Sequence, residues 1–199
     1  MKKITIALMC MIMATGIAMA QKQFTFGPKI GVDYTHYWGK DVQHGGQLNY
    51  QAGLFMEYRF TDKLSVAPEV VFAAQGGKFD TVLFGIKHSY TDHVNYINVP
   101  VMLKYYVAPS FSIDFGPQVG FNVYSKSTDK LDDGTHQAST VTDEKDATES
   151  VDFGLGLGMT YNITNDVFVQ GRYTMSMTSV FKGGEAKNGN AQIAIGYRF

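Results

Sequence analysis

The fold is decided by the last eight residues of the chain, Gln192-Ile193-Ala194-Ile195-Gly196-Tyr197-Arg198-Phe199. Bulky apolar side chains occupy the odd positions of this stretch, and small or polar side chains occupy the even positions. A period of two indicates a β-strand that has one apolar face and one polar face. The stretch therefore predicts a strand whose two faces meet different surroundings.

The same alternation recurs through most of the chain. Seven earlier segments have it, at about 24–36, 48–60, 64–75, 93–107, 111–124, 150–162 and 167–178. These segments are long for a globular protein, in which strands of about five or six residues are usual. Because a tilted strand needs about 9 to 11 residues to cross a bilayer, the lengths favour a membrane protein.

The connections between the segments alternate between long and short. The long connections are 37–47, 76–92, 125–149 and 179–188, and the short ones are 61–63, 108–110 and 163–166. Bacterial outer-membrane barrels have short periplasmic turns and long extracellular loops. The sequence therefore predicts an all-β fold, an eight-stranded antiparallel up-and-down transmembrane β-barrel with both termini in the periplasm. The longest loop is acidic and polar, and we expect it to be solvated and mobile.

The first twenty residues are typical of a signal peptide. Two lysines precede an apolar stretch, and Ala18-Met19-Ala20 is a small-x-small cleavage motif. We expect cleavage between Ala20 and Gln21, which leaves one barrel domain at residues 21–199. Cys10, the only cysteine, lies in the removed segment, so the mature domain has no thiol for disulfide or thiolate chemistry.

The composition leaves two fold hypotheses and excludes one class of partner. The formal net charge of −1 is not the basic signature of a nucleic-acid-binding protein. A membrane barrel would turn its apolar side chains outward to lipid. The main alternative is a soluble, lipocalin-like periplasmic barrel, which would place apolar side chains inside and polar ones outside.

Charged residues occupy the strand face that would point into the barrel. They are Lys29, Asp33, Glu57, Arg59, Glu69, Lys104, Asp114, Asp152, Arg172 and Arg198. An eight-stranded barrel is just wide enough inside for side chains. With five charges of each sign, we interpret the set as a structural plug of ion pairs that seals the lumen. A polar channel or proton relay is the alternative, and hydrolysis by paired carboxylates is disfavoured because no substrate access is evident.

Several residues interrupt the pattern of the predicted strands. Four prolines lie inside them, namely Pro28, Pro68, Pro100 and Pro117. Because proline cannot donate a ladder hydrogen bond, we expect bulges near some of these positions. The registers there and at Gly171 stay open. Three glycines of the sixth segment share its inward face and would make room for larger side chains opposite; they are Gly154, Gly156 and Gly158.

All histidines fall in the long connections or at the strand ends beside them. They are His36, His44, His88, His93 and His136. Histidine binds metal ions and haem iron, but no HxH or HxxxH spacing occurs. His88 and Ser89 are adjacent, and adjacent strand residues face opposite ways, so no nucleophile and base form a pair. We predict no catalytic, cofactor or metal site, and a loop-site enzyme or a metal or haem binder is the disfavoured alternative.

Several stretches of the chain carry a resemblance to a known family. They are Phe26-Gly27-Pro28-Lys29-Ile30-Gly31-Val32, Pro68-Glu69-Val70-Val71-Phe72, Tyr96-Ile97-Asn98-Val99-Pro100-Val101-Met102-Leu103-Lys104-Tyr105, Phe115-Gly116-Pro117-Gln118-Val119-Gly120 and Gln170-Gly171-Arg172-Tyr173. These stretches resemble the strands of the Bacteroidota outer-membrane β-barrel family often labelled PorT-like, although Asn98 stands where that family often has glutamate. Tyr197 and Phe199 resemble the C-terminal signal that is read by the barrel assembly machinery. The resemblance implies an outer-membrane barrel and leaves its activity open.

Three functional hypotheses remain after these observations. The first is a non-enzymatic outer-membrane barrel, structural or surface-interacting, that works through its extracellular loops. The second is an accessory component of a secretion or transport complex in the outer membrane, and the third is the loop-site enzyme or ion binder. The first two imply outer-membrane lipid, the assembly machinery and an extracellular or secretion-complex protein as partners, with no cofactor.

Overall fold

The computed structural model describes residues 23–39, 45–83, 86–132, 137–143 and 145–199. The predicted signal peptide and its cleavage site at Ala20 and Gln21 lie outside these residues. The strands are β1 (Phe24–Trp38), β2 (Gly46–Arg59), β3 (Leu64–Gln75), β4 (Lys78–Leu83), β5 (Ile86–Ala108), β6 (Phe111–Asp132), β7 (Gln137–Asp143), β8 (Val151–Asn162), β9 (Val167–Ser176) and β10 (Lys187–Tyr197). The described residues include no helix with the length and apolar composition that a membrane span requires.

Eight of these strands close into a ring. The order around the ring is β1, β2, β3, β5, β6, β8, β9 and β10, and each neighbouring pair is antiparallel. The ring closes where β1 pairs with β10, from Lys29 opposite Gly196 to Trp38 opposite Lys187. The predicted eight-stranded antiparallel barrel is therefore confirmed.

The apolar faces of the ring strands point outward. Large exposed side chains on the outer surface include Ile30, Leu54, Leu157 and Ile193. The inward faces bury lysine, arginine, acidic and amide side chains instead. A continuous exposed apolar band of this kind is matched to hydrocarbon and not to water. The lipocalin-like alternative, with apolar side chains inside, is therefore wrong.

The predicted long connections contain strands that the sequence analysis missed. Segment 76–92 holds β4 and the first residues of β5, and segment 125–149 holds the end of β6 and all of β7. Much of 125–149 is thus a β-hairpin, where the sequence predicts a loop without strands. The period-two signal fails here because a strand needs an apolar face only where that face meets lipid or an apolar core. Residues 139–143 of β7, for example, are all exposed.

The last ring strand also differs from its predicted bounds. β10 begins at Lys187, inside the connection predicted for 179–188, and ends at Tyr197. Phe199 lies beyond the end of β10, yet its backbone N–H donates to the carbonyl of Phe26 at 2.8 Å. The C-terminal residue is therefore tied to the first strand, and its ring remains exposed on the outer surface.

The four strand prolines do not shift the register of the described strand pairs. Each keeps its partner on one side, with Pro28 opposite Leu54, Pro68 opposite Val101, Pro100 opposite Gln118 and Pro117 opposite Leu155. The N–H of a strand residue points to one neighbour only, so proline weakens one ladder and leaves the other intact. The expected bulges at the prolines are therefore wrong. The register shifts lie instead between β5 and β6, at Asn95/Tyr96 and at Tyr106/Ala108.

Candidate functional site

The centre of the lumen holds a buried ion-pair cluster, which we call the central cluster: Lys29, Glu69, Gln170 and Arg172. Lys29 Nζ donates to Glu69 Oε2 at 2.7 Å and to Gln170 Oε1 at 2.9 Å. The guanidinium of Arg172 donates to both oxygens of Glu69, at 3.0 and 2.6 Å. Fork-like pairing of this kind joins charge attraction to fixed geometry, so β1, β3 and β9 are tied together across the lumen.

A second group, the mouth cluster, surrounds Glu57 at the end of the lumen near the short turns. Lys104 Nζ lies 3.3 Å from Glu57 Oε2, and Arg59 Nη2 and Arg198 Nη2 lie 3.8 Å from its two oxygens. Ser65 Oγ and Tyr106 Oη also donate to Glu57, at 2.8 and 2.5 Å. One carboxylate thus serves three cations, so positive charge is in excess at this mouth.

The aspartates of the predicted set are held differently. Asp114 accepts from the hydroxyls of Ser112 and Thr160 at 2.6 and 2.5 Å, and from Gln170. Asp152 accepts from the hydroxyls of Ser176 and Thr178. Asp33 is completely buried, forms no ion pair within 4.0 Å in the described part of the chain, and lies close to the side chain of Asn190. The structure thus brings the five predicted cations together around two glutamates.

Glycines of β8 make the space that the central cluster occupies. A Cβ on Gly156 would lie 3.4 Å from Arg172 Cδ, and a Cβ on Gly158 would lie 3.2 Å from Arg172 Cβ and 2.7 Å from the carbonyl oxygen of Gly171. The inward face of β8 is therefore flat where the arginine crosses it.

The aromatic pair Phe55 and Phe168 separates the two clusters. Phe55 interrupts the apolar alternation of β2 because its ring points inward, where it packs edge-on against Phe168 with centroids 5.0 Å apart. Phe168 in turn covers the cations of the mouth cluster, with Arg198 Cζ 4.5 Å and Lys104 Nζ 5.7 Å from its ring centre. Parity along β9 places Phe168 inward with Gln170 and Arg172, so this signal was present in the sequence.

The other end of the lumen is covered by side chains from the long connections. The hydroxyl of Thr35 on β1 donates across β2 to the carbonyl of Gly76 at 2.7 Å. Tyr37 is buried and packs edge-on against Phe181 with centroids 6.0 Å apart. Val180 is buried, and its carbonyl accepts from the N–H of Glu149. We call Tyr37, Val180 and Phe181 the loop-side cap.

The histidines do not converge in the described structure. His36 lies at the outer rim between the rings of Tyr34 and Tyr173, at centroid distances of 6.2 and 6.1 Å. His93 is exposed on β5, and His88 lies on the extension of β5 that we had predicted to be a loop. His44 and His136 lie outside the described residues. No group of three metal-ligating side chains occurs in the ranges that the structure covers.

Comparison with protein families identifies the class to which the chain belongs. Residues 19–182 match the family described as outer membrane protein beta-barrel domain. Because this match covers most of the chain, the chain belongs to that family and is an integral outer-membrane β-barrel protein. No curated protein matches its sequence.

Solved structures share this fold. The crystal structure of Ail, the attachment invasion locus protein of Yersinia pestis, is similar with a TM-score of 0.53 and 14% identity, over 89% of this chain and 99% of that chain. Ail in complex with the heparin analogue sucrose octasulfate gives 0.52, with the same identity and coverage. Neisserial surface protein A gives 0.47 and 11% identity, over 87% of this chain and 97% of that chain. At these identities the likeness concerns the fold alone.

Proposed function

We propose that this protein is a non-enzymatic outer-membrane barrel that engages a protein partner outside the cell through a sheet built from its long connections. The observation that carries the proposal is a four-stranded sheet, β4-β5-β6-β7, which continues β5 and β6 beyond the ring. We call it the extension sheet.

The strand pairing of the extension sheet leaves two edges. β5 and β6 pair from Asn95 opposite Tyr124 out to Lys87 opposite Asp132. β4 pairs with β5 and β7 pairs with β6, so each of these outer strands has one neighbour within the described sheet. Ring strands have two neighbours, so the ring itself offers no edge. A free edge presents backbone donors and acceptors in a row, to which an extended segment of another protein can add a strand.

The side chains of β7 suit a water-exposed contact surface. Residues 139–143 are all exposed, and Val141 is 60% exposed between threonines. Strand addition draws its affinity from backbone hydrogen bonds and its selectivity from side chains at alternate positions. Val141 provides an apolar contact at such a position.

The proposal fixes an orientation and a role for the barrel. The extension sheet lies outside the cell, and the short turns with both termini lie in the periplasm. The two ion-pair clusters serve as a structural plug, and Tyr197 with Phe199 serves as the signal for the assembly machinery. The PorT-like affiliation suggested by the sequence belongs to the same proposal.

Site-specific photo-cross-linking tests the extension sheet. A photoreactive residue replaces Val141 on β7 in intact cells, and the matched control carries it at Val107, an exposed side chain on the ring. We expect a defined protein adduct from position 141 that is absent from position 107. A variant in which residues 127–142 are replaced by a two-residue turn should lose the binding of the identified partner.

The outcomes separate the functional hypotheses. A stoichiometric outer-membrane protein captured from position 107 and not from position 141 would favour the accessory role in a secretion or transport complex. Equal adducts from both positions, or unchanged partner binding after the replacement of 127–142, would overturn the proposal.

A further inference from the structure

We propose that the short-turn mouth of the lumen is a binding vestibule for a small phosphate monoester. This site lies at the end of the barrel opposite the extension sheet. The inference about it therefore does not depend on the proposed function. Its lining comes from the ends of the strands and from two of the short turns.

A cavity of about 580 Å³ opens at this mouth. Glu57, Arg59 and Arg198 of the mouth cluster line it, and the rest of the wall is mostly polar, with Gln23, Ser110 and Thr164 beside the apolar Pro109 and Ile163. Small-molecule sites in proteins are typically about 300 to 1,000 Å³, so the cavity is large enough for an organic molecule and not only for one inorganic ion.

The charges around the cavity are unequal. Three cations surround Glu57, namely Arg59, Lys104 and Arg198. Asp114, the next acid along the lumen, is buried and engaged by hydroxyl groups. The mouth cluster therefore carries two more positive charges than negative ones. A phosphate monoester in its dianionic form would balance this excess.

One donor of Arg198 is buried and has no hydrogen-bond acceptor among the described residues. Its side chain is 9% exposed, and its Nη2 atom makes no hydrogen bond within the described residues. The ion-pair distance of 3.8 Å from this atom to Glu57 exceeds hydrogen-bond length. A buried guanidinium donor that lacks a hydrogen bond is costly, and a phosphate oxygen would satisfy it with a short, charge-assisted bond.

Arg59 can complete a two-sided clamp. Its side chain is 37% exposed, and its guanidinium carbon lies 4.1 Å from the ring centre of Tyr106, which fixes its orientation. Arginine is suited to phosphate because its planar donors match two oxygens at once. Asn162, at the end of β8, and Thr164, in the turn between β8 and β9, supply neutral groups for the organic part of the ligand.

The vestibule is blind and not the entrance of a channel. Phe168 covers Arg198 and Lys104 from the lumen side and packs against Phe55. The two aromatic rings therefore lie between the mouth cluster and the central cluster, and a ligand enters and leaves by the short-turn side.

Equilibrium binding to the purified barrel in detergent micelles tests this inference. The probes are glycerol 3-phosphate and inorganic phosphate, with glycerol as the uncharged control, measured by calorimetry at low ionic strength. We expect saturable, one-to-one binding of glycerol 3-phosphate, weaker binding of inorganic phosphate and no binding of glycerol. Absence of saturable binding of either phosphate would overturn the proposal.

Charge-removing variants locate the site. R59Q and R198Q should each weaken glycerol 3-phosphate binding about tenfold or more, because each removes a charge-assisted hydrogen bond. The matched control is K63Q, which removes an exposed cation from the turn between β2 and β3 at the same end of the barrel without altering the cavity wall. R59Q is the decisive variant. Among the three cations of the mouth cluster, Arg59 has the most exposed side chain, so its replacement should disturb folding least. An equal loss in K63Q and R59Q would show a general charge effect and overturn the site.

The source of the phosphate is distinguished by a second arm. The barrel is placed in nanodiscs of phosphatidylcholine, with or without phosphatidic acid, and titrated with glycerol 3-phosphate. Unchanged binding in both discs supports a soluble ligand. Loss of binding only with phosphatidic acid assigns the vestibule to the headgroup of a membrane lipid and contradicts the soluble ligand.

Discussion

The acidic residues of the lumen differ in whether a cation or a neutral group balances them. Glu69 is the common acceptor of Lys29 and Arg172, whereas Asp114 is bound by neutral donors. Removing one partner of a buried ion pair is far more damaging than never having had the pair, because the remaining charge stays buried without compensation. The two carboxylates should therefore respond differently to the same neutralising change.

We expect E69Q to destabilise the barrel by about 3 to 5 kcal/mol, because two buried cations lose their anion. D114N should cost only about 1 kcal/mol, since it alters hydrogen bonds and breaks no ion pair. Urea unfolding in micelles, followed by the fluorescence of Trp38, the only tryptophan, measures both. Equal stability of E69Q and D114N would show that the central cluster contributes no pairing energy.

Gly27 is required by the close approach of β1 and β10. A Cβ at this position would overlap the carbonyl oxygen of Tyr197, which belongs to the backbone and cannot turn aside. We expect G27A to impair ring closure, seen as loss of the heat-modifiable band on a gel. The control is G171A, because nothing lies within 4 Å of a Cβ there. Normal folding of G27A would contradict the tight seam.

At the level of elements, the sequence predicted those strands that have lipid on one side. β8, predicted at 150–162, spans Val151–Asn162, and β3 matches its predicted bounds. β4 and β7 were missed because they lie outside the ring, where a strand needs no lipid-facing apolar side; residues 139–143 of β7 are all exposed. The inward-pointing charged residues could be predicted because alternate residues of a strand face the same way. Their ion-pair partners could not be predicted, because the residues that meet across the lumen depend on the tilt and stagger of the whole ring.

The extension sheet should be dispensable for the ring. Gly77 and Asp92 are already joined by a 2.8 Å backbone hydrogen bond, and the β3–β5 ladder ends just below at Gln75 opposite Val94. We expect replacement of residues 78–91 by an Asn-Gly turn to change the free energy of unfolding by less than about 1 kcal/mol, because the turn suits a tight hairpin. Heat-modifiable migration and urea unfolding check this. Failure of this variant to form a barrel would show that the two parts fold together.

At the scale of the whole molecule, the lumen is obstructed at several levels. The loop-side cap, the central cluster and the aromatic pair Phe55 and Phe168 follow one another along the barrel axis. An eight-stranded ring leaves room for little more than such side chains. The lumen is therefore filled along its length, and its short-turn mouth holds the open cavity.

We expect no steady ion conductance from the purified protein in planar bilayers, because the central cluster and the aromatic pair Phe55 and Phe168 fill the lumen. The control is Y37A combined with V180G, which removes two side chains of the loop-side cap while leaving the central cluster in place. It should also fail to conduct. Stable conductance steps from the wild type would contradict the filled lumen and restore the channel interpretation.

The central cluster joins parts of the chain that are synthesised far apart. In the sequence, Lys29 is 40 residues from Glu69 and 141 residues from Gln170, and Glu69 is 103 residues from Arg172. Contacts so distant in sequence form late, since the chain between them must first be gathered. The contacts of the central cluster can therefore be completed only when β9 is in place beside β1 and β3. The order of the strands in the chain makes the filling of the lumen a late event of assembly.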